Sequence, residues 1–326
     1  MSLFKQPADL CVSHNVKALI YGQPGTGKST VALSAPQPVM LDFDGGVQRV
    51  NGAFQCPTLQ VESWEQVNEA LTEIEAGSFP CKTIVIDTAG KMLDYMGAFI
   101  IKDSPKYGKA DGSLTLQGYG VRKSMFINFL RRVGIMGKNV VFVAHEREEK
   151  DGEVKVIRPE IGGSSAADLI KELDLVGYMQ SFSYEATRNG KHEIVVDRTV
   201  SWSPTQKFYG KNTCNLPPVH AVANIVDENG NVTGENDFLT NVFAMYEANL
   251  RSTAATRAKY DKLLDSFSKG IAAVKDEKGA NEVLAKIEGY GSHVWDSKLR
   301  TEKMLAAKAA ELKLKFNAID NRYEAA

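Results

Sequence analysis

Residues 16–33 read VKALIYGQPGTGKSTVAL, and the succession of residue types in this stretch decides the fold. Val16 to Tyr21 is apolar apart from Lys17 and suits a buried strand. It runs into Gly22-Gln23-Pro24-Gly25-Thr26-Gly27-Lys28-Ser29, a full match to G-x-x-x-x-G-K-[ST], and Thr30-Val31-Ala32-Leu33 then opens a helix. Strand, glycine loop and helix together form the context in which consecutive backbone N–H groups can curl around a polyphosphate. In that arrangement Gly22 to Thr30 form the cradle, Lys28 reaches the β- and γ-phosphates, and the Ser29 hydroxyl sits on Mg²⁺. A nucleoside triphosphate with Mg²⁺ is the expected ligand.

Three further strands are legible downstream. Pro38-Val39-Met40-Leu41-Asp42-Phe43-Asp44 ends in two carboxylates before Gly45-Gly46. Acids at the end of a strand beside the phosphate loop can orient a water or a hydrated metal, and the same acids also suit a turn. Asp44 is the preferred candidate for the first role. Thr83-Ile84-Val85-Ile86-Asp87 is a β-branched strand whose terminal Asp87 is placed to hold Mg²⁺. Asn139 to Ala144 is apolar until His145, which can report on the bound nucleotide or simply end its strand. Between these strands, Trp64 to Ala76 and Ser124 to Met136 carry apolar residues at helical spacing, so the chain alternates strand and helix and a parallel sheet follows. Asp87-Thr88-Ala89-Gly90 also matches the D-x-x-G of GTPases, but no N-K-x-D or T-K-x-D occurs to read guanine, which points to ATP.

Composition narrows the class. The 39 Lys+Arg against 40 Asp+Glu leave a net charge of -1, which excludes a chain that is basic throughout but not a local basic patch. No apolar run approaches the roughly 18–20 residues of a membrane span, and the first residues lack a secretory pattern, so a cytoplasmic protein is expected. Cys11, Cys56, Cys81 and Cys214 are scattered with no C-x-x-C pair, as in reduced proteins without a zinc site.

The four elements in this order resemble the RecA-like ATPase core, and most closely the phage ATP-binding proteins of that class, including the RecA-like single-strand annealing proteins. The resemblance covers about residues 14–220. It is carried by Gly22–Ser29 and Thr83–Thr88, with L-D-F-D at 41–44, V-F-V-A-H-E at 141–146 and P-E-I-G-G at 159–163 as weaker parts. It implies an α/β fold with a mainly parallel central sheet flanked by helices, and ATP hydrolysis with Asp44 positioning water and His145 as sensor. Asp44 is shorter than the Glu often found at its position, and His145 replaces the Gln of RecA. The resemblance also implies a homo-oligomer with a cation supplied across the subunit boundary, for which Arg198, Lys207 and Lys211 are candidates.

Two loops binding single-stranded DNA are implied as well. The first is Lys102 to Lys123, where five cations against Asp103 and Asp111 leave +3 and Tyr107 and Tyr119 offer stacking rings, or else it is a plain solvent loop. The second is Glu146 to Gly163, with a balance of −2, within which Glu148 to Ile157 reads as a hairpin turned at Asp151-Gly152; Arg147, Lys155 and Arg158 are its test residues.

Beyond these, Leu173 to Met179 and Glu193 to Asp197 read as short strands joined by a turn at Arg188-Asn189-Gly190. Composition shifts near residue 235, dividing the chain into a core (1–235) and a helical C-terminal region (236–326). There Tyr260, Leu263, Leu264, Phe267 and Ile271 share a helix face, and Leu305, Ala309, Leu312, Phe316 and Ile319 form a heptad-like stripe. The stripe either packs within the chain or docks on a partner, such as a replication or recombination protein. The rival functions are a helicase loader, which should show Glu where Thr88 follows Asp87, a small-molecule kinase, which should carry an Arg-rich lid, and an ATP-gated scaffold.

Overall fold

The computed structural model describes residues 15–188 and 191–325. Two compact units emerge, His14–Glu247 and a second drawn from Ala248–Ala326.

In the larger unit, β1 (Lys17–Gly22) leads through the glycine loop into α1 (Lys28–Ala32), followed by β2 (Pro38–Asp42), β3 (Thr58–Gln60), α2 (Trp64–Glu75), β4 (Thr83–Asp87) and α3 (Ala89–Asp103). Then come α4 (Leu116–Ile135), β5 (Asn139–Asp151), β6 (Val154–Pro159), α5 (Ser165–Glu172), β7 (Leu175–Arg188), β8 (Lys191–Ser201), β9 (Lys211–Asn212) and β10 (Val219–Val222). The sheet order is β10-β8-β7-β1-β5-β4-β2-β3, with β6 paired to β5 and β9 to β7. From β3 to β7 neighbouring strands run parallel, and β6, β8, β9 and β10 are antiparallel additions. This is the α/β architecture expected, a mainly parallel sheet flanked by helices.

The sheet is covered on both faces, as parallel sheets require. Leu19, Tyr21, Ile84, Ile86, Val140 and Phe142 join one core with Trp64, Val67 and Leu71 of α2, Met92 and Met96 of α3, and Phe126 and Phe129 of α4. The alternate positions, Ala18, Ile20, Val85, Val141 and Val143, are buried as well. Such two-sided burial is why these strands read as unbroken apolar runs instead of alternating ones. Further along, Gly177 lets the fully buried Trp202 lie on β7, since a Cβ there would stand 2.7 Å from the indole ring.

Helix α4 begins earlier than the periodicity of Ser124–Met136 indicates. Thr115 caps it by accepting from the Gly118 N–H at 3.2 Å, and Leu114 is buried beneath its first turn. The segment Lys102–Lys123, expected as one loop, is therefore the end of α3, a 3₁₀ turn at Pro105–Tyr107, a short ladder contact between Gly108 and Leu114, and the start of α4. The hairpin turned at Asp151-Gly152 forms as expected, with Asp151 opposite Val154 and Gly152 at φ 63°. β7 and β8 are much longer than the short strands read from sequence. Asn189-Gly190, in the turn expected between them, lies outside the described residues.

Helix α6 (Phe238–Ala272) begins within the larger unit, where Leu239 N–H donates to Ser34 Oγ (2.8 Å) and Thr240 Oγ1 to the Ser34 carbonyl (2.8 Å). The smaller unit continues with α7 (Glu277–Glu288), α8 (Ser297–Glu311), β11 (Leu314–Asn317) and β12 (Arg322–Ala325). Ile271, Val274, Leu284, Ile287, Leu305, Ala309 and Tyr323 form its own core. The heptad-like stripe is not one helix: α8 stops at Glu311, Lys313 takes φ 57°, and the chain turns into the β11–β12 hairpin. Leu305 and Ala309 are buried, whereas Phe316 and Ile319 are exposed.

Candidate functional site

The glycine loop is shaped by two close constraints. An added Cβ on Gly22 would meet the Met179 carbonyl oxygen of β7 at 2.3 Å, so only glycine fits where β1 ends. Gly27 stands at φ 94° immediately before α1, a conformation that any side chain would strain. Inside the loop, Lys28 Nζ donates to the Gln23 carbonyl at 2.6 Å, and Thr26 Oγ1 donates to the same oxygen at 2.9 Å. Burial lowers the affinity of the Lys28 amine for its proton, while the Asp87 carboxylate works the other way.

Sheet order brings the remaining residues to this loop. β5 lies between β1 and β4, with His145 opposite Gly22 and Val143 opposite Asp87. Asp42 stands opposite Asp87 on the next strand. A cleft of about 250 Å³ opens over these strand ends, lined by Gly25, Lys28, Ser29, Asp44, Asp87 and His145 among others. Lys28, Ser29, Asp44, Asp87 and His145 thus line one cleft.

Asp87 is buried at the floor of the cleft and accepts from Ser29 Oγ at 2.5 Å. Burial pushes its carboxyl up to about 6, with the Ser29 hydrogen bond acting against that and Asp42 adding to it. A buried carboxylate paired with a hydroxyl is a hard-oxygen donor set of the kind Mg²⁺ accepts, and a divalent cation would remove the cost of the buried charge. Among the described residues, no group of three or more His, Cys, Asp or Glu side chains could hold a metal unaided. Ser29 and Asp87 are thus the side chains that would hold a Mg²⁺ in this cleft.

The two aspartates at the end of β2 differ in what they contact. Asp42 is a turn former: its carboxylate accepts from the N–H groups of Asp44 (3.1 Å), Gly46 (3.1 Å) and Val47 (3.0 Å). That turn holds Asp44 at the cleft, where its Oδ2 lies 3.9 Å from His145 Nε2 and 3.8 Å from Arg49 Nη2. Arg49, on the 3₁₀ turn Val47–Arg49, lines the cleft and was not legible in sequence, since no motif marks it. His145 Nδ1 is buried without a hydrogen-bond partner, and burial followed by the charge of Lys28 keeps the ring below the usual histidine range.

The D-x-x-G match has a structural cause. Thr88 caps α3, accepting from the Lys91 N–H at 3.4 Å, and a Cβ on Gly90 would meet the Glu160 carbonyl at 2.8 Å.

The candidate cations differ in placement. Lys211 Nζ donates to the carbonyls of Ile170 (2.9 Å) and Lys171 (3.2 Å), so it closes the end of α5. Arg198 reaches Gly27 of its own chain, with Nε 3.9 Å from the position a Cβ would take there. Lys207 is exposed.

In the segments read as DNA loops, Lys102 pairs with Glu65 (2.7 Å) and Lys123 with Asp168 (3.2 Å). Lys106 lies over the Tyr107 ring and Arg122 over the Tyr119 ring, at 5.0 and 4.9 Å. On the hairpin, Arg147 pairs with Glu149 (2.5 Å), Lys155 with Glu148 (3.0 Å) and Arg158 with Glu149 (3.4 Å). All three test cations there are held by acids of the same hairpin.

No helix among the described residues is long and apolar enough to cross a membrane. The chain is similar to the SPbeta prophage-derived uncharacterized protein YorG of Bacillus subtilis strain 168, with 22% identity over 84% of this chain and 85% of that protein. Among solved structures it is similar to the flagellar accessory protein FlaH of Methanocaldococcus jannaschii, at 9% identity and TM-score 0.32, over 63% of this chain and 85% of that one. The sequence profile of the AAA domain matches residues 14–214, which contain the glycine loop, Asp44, Asp87 and His145, and the chain thus belongs to this family of P-loop ATPases.

Proposed function

We propose that the protein binds ATP with Mg²⁺ and hydrolyses it, and that hydrolysis is coupled to single-stranded DNA in phage-type recombination, annealing or repair. The observation that carries the hydrolytic part is the convergence of Lys28, Ser29, Asp87, Asp44 and His145 on one cleft. Gly22 to Thr30 cradle the phosphates through backbone N–H groups, and Lys28 gives up its contact with the Gln23 carbonyl to take a phosphate oxygen. Ser29 and Asp87 hold the metal, which when bound neutralises charge on the phosphates. Asp44 orients the attacking water, and His145, whose Nδ1 is unpartnered, senses the ligand from the strand between Lys28 and Asp87.

For DNA, the segment around α4 is a better surface than the hairpin. Lys106 and Arg122 lie against tyrosine rings there, a combination that suits base stacking beside a phosphate strand. A homo-oligomer that completes the site with a neighbour's cation remains part of this proposal, with Lys207 the candidate left exposed. A second reading is favoured by one observation: the smaller unit has its own core and carries exposed Trp295 and Ile319. In that reading ATP gates the docking of a replication protein.

ATP turnover with and without short single-stranded DNA, at low salt, on wild type and Lys28→Ala, separates these readings. Turnover stimulated by DNA and lost in the variant supports the first. Turnover indifferent to DNA moves the assignment to the second, and full turnover by Lys28→Ala refutes the catalytic reading.

A further inference from the structure

A second cleft, of about 570 Å³, lies in the larger unit. That volume is in the range of small-molecule sites. Gly27 and Thr30 line both clefts, so the two meet where the glycine loop becomes α1. Met179, Arg198, His220 and Asn224 form further parts of its wall.

Two nitrogens of this lining are buried and have no hydrogen-bond partner, Arg198 Nε and His220 Nε2. Each is held in place from behind. Arg198 Nη1 donates to Asn224 Oδ1 at 2.6 Å, and Asn224 Nδ2 in turn donates to the Val196 carbonyl at 2.9 Å. Trp202 Nε1 donates to His220 Nδ1 at 2.9 Å. An indole nitrogen can only donate, so Nδ1 of the neutral ring is the acceptor and Nε2 carries the proton. Both orphan groups are therefore N–H donors, and a buried donor without an acceptor is costly unless something supplies one.

A ligand that satisfies them offers acceptors and starts at Gly27 and Thr30. Its flat apolar part can lie against Met179, whose thioether suits an aromatic ring. We propose that this cleft takes the nucleoside of the nucleotide whose phosphates lie on Gly22–Ser29, with Arg198 and His220 donating to its ribose oxygens and ring nitrogens. The inference rests on the phosphate-binding reading above. It makes Arg198 a ligand-binding residue of its own protomer and removes it from the cations a neighbour could contribute.

The test compares ATP with inorganic tripolyphosphate, both with Mg²⁺, by calorimetric titration of the full chain. Arg198→Met is expected to weaken ATP about ten- to a hundredfold, the range of a lost charge-assisted hydrogen bond, and to leave tripolyphosphate within about twofold. In ¹⁵N-histidine spectra of the wild type, the His220 Nε2 resonance is expected to move on addition of ATP and not of tripolyphosphate. Unchanged ATP affinity in Arg198→Met overturns the proposal, as does an equal loss for both ligands, which would make Arg198 a phosphate contact. A His220 resonance indifferent to ATP removes His220 from the site. If the phosphate reading itself is at fault, Lys28→Ala leaves both affinities unchanged, which is distinguishable from every outcome above.

Discussion

Ser29 Oγ donates to Asp87 Oδ2 at 2.5 Å, although Ser29 follows β1 and Asp87 ends β4, strands that are not neighbours in the sheet. β5 stands between them and brings His145 to the same edge. The contact joins the two side chains proposed to share Mg²⁺, and it sets the first prediction. Ser29→Ala should weaken Mg²⁺-dependent ATP binding about tenfold or more and leave binding in excess EDTA nearly unchanged, as titrations with and without the metal would reveal. Equal losses in both conditions would deny Ser29 a metal role.

Asp87 yields a prediction about pH and stability in the metal-free protein. Its carboxyl is raised to about 6 in the fold, against 3.8 as the ordinary value. The folded state thus holds this proton more tightly than the unfolded chain, so the contribution is fully present below about pH 4 and is lost as pH rises through 6. The shift corresponds to about 3 kcal/mol at most. Asp87→Asn should therefore raise the urea midpoint at pH 7.5 and change it little at pH 4. Added Mg²⁺ should narrow the difference between the two proteins at pH 7.5. An Asn variant less stable than wild type at pH 7.5 would contradict the assignment.

Asp44 and Asp42 should separate in kinetics. Asp44→Asn keeps the turn, whose N–H groups bond to Asp42, and removes only the charge at the cleft. Its turnover number should fall about a hundredfold with ATP affinity retained, in line with losing a general base. Asp42→Ala instead leaves three N–H groups without their acceptor, and should lower the melting temperature as well as activity.

Gly22→Ala forces a Cβ to within 2.3 Å of the Met179 carbonyl oxygen, which is backbone and cannot turn aside. A loss of about 1–3 kcal/mol or more is expected in denaturant unfolding, because the neighbouring strand must move. Gly25→Ala is a useful contrast: nothing lies within 4 Å of its Cβ, so any cost there comes from φ 80° alone.

If single-stranded DNA binds near α4, replacing Lys106 and Arg122 by Glu should reduce affinity and flatten its dependence on salt by about two charges. The same change at Arg147 and Lys155, which are already paired with acids, should have a smaller effect. A larger effect from the hairpin would reverse the assignment of the surface.

The order of residue types along the chain determined the phosphate loop, the alternation of strand and helix, and the acids and histidine at the strand ends. These are local signals, since apolar runs of strand length, glycines at fixed offsets and a terminal carboxylate are all legible within a few residues. Length and continuity were harder. The N-terminal turns of α4 depend on the Thr115 cap and the burial of Leu114. In the same way, the 305–319 stripe breaks into helix and hairpin because the chain turns at Lys313 (φ 57°) and brings Tyr323 of β12 into the core of the smaller unit, which leaves Phe316 and Ile319 exposed. Neither feature is visible in periodicity. Only the tertiary structure decided which charges are available. Lys211 closes a helix end, the hairpin cations are neutralised by their own acids, and Arg198 turns its guanidinium to Gly27 of the same chain. A charge in a sequence has a sign but no address, and the field it exerts depends on distances that only the folded chain supplies.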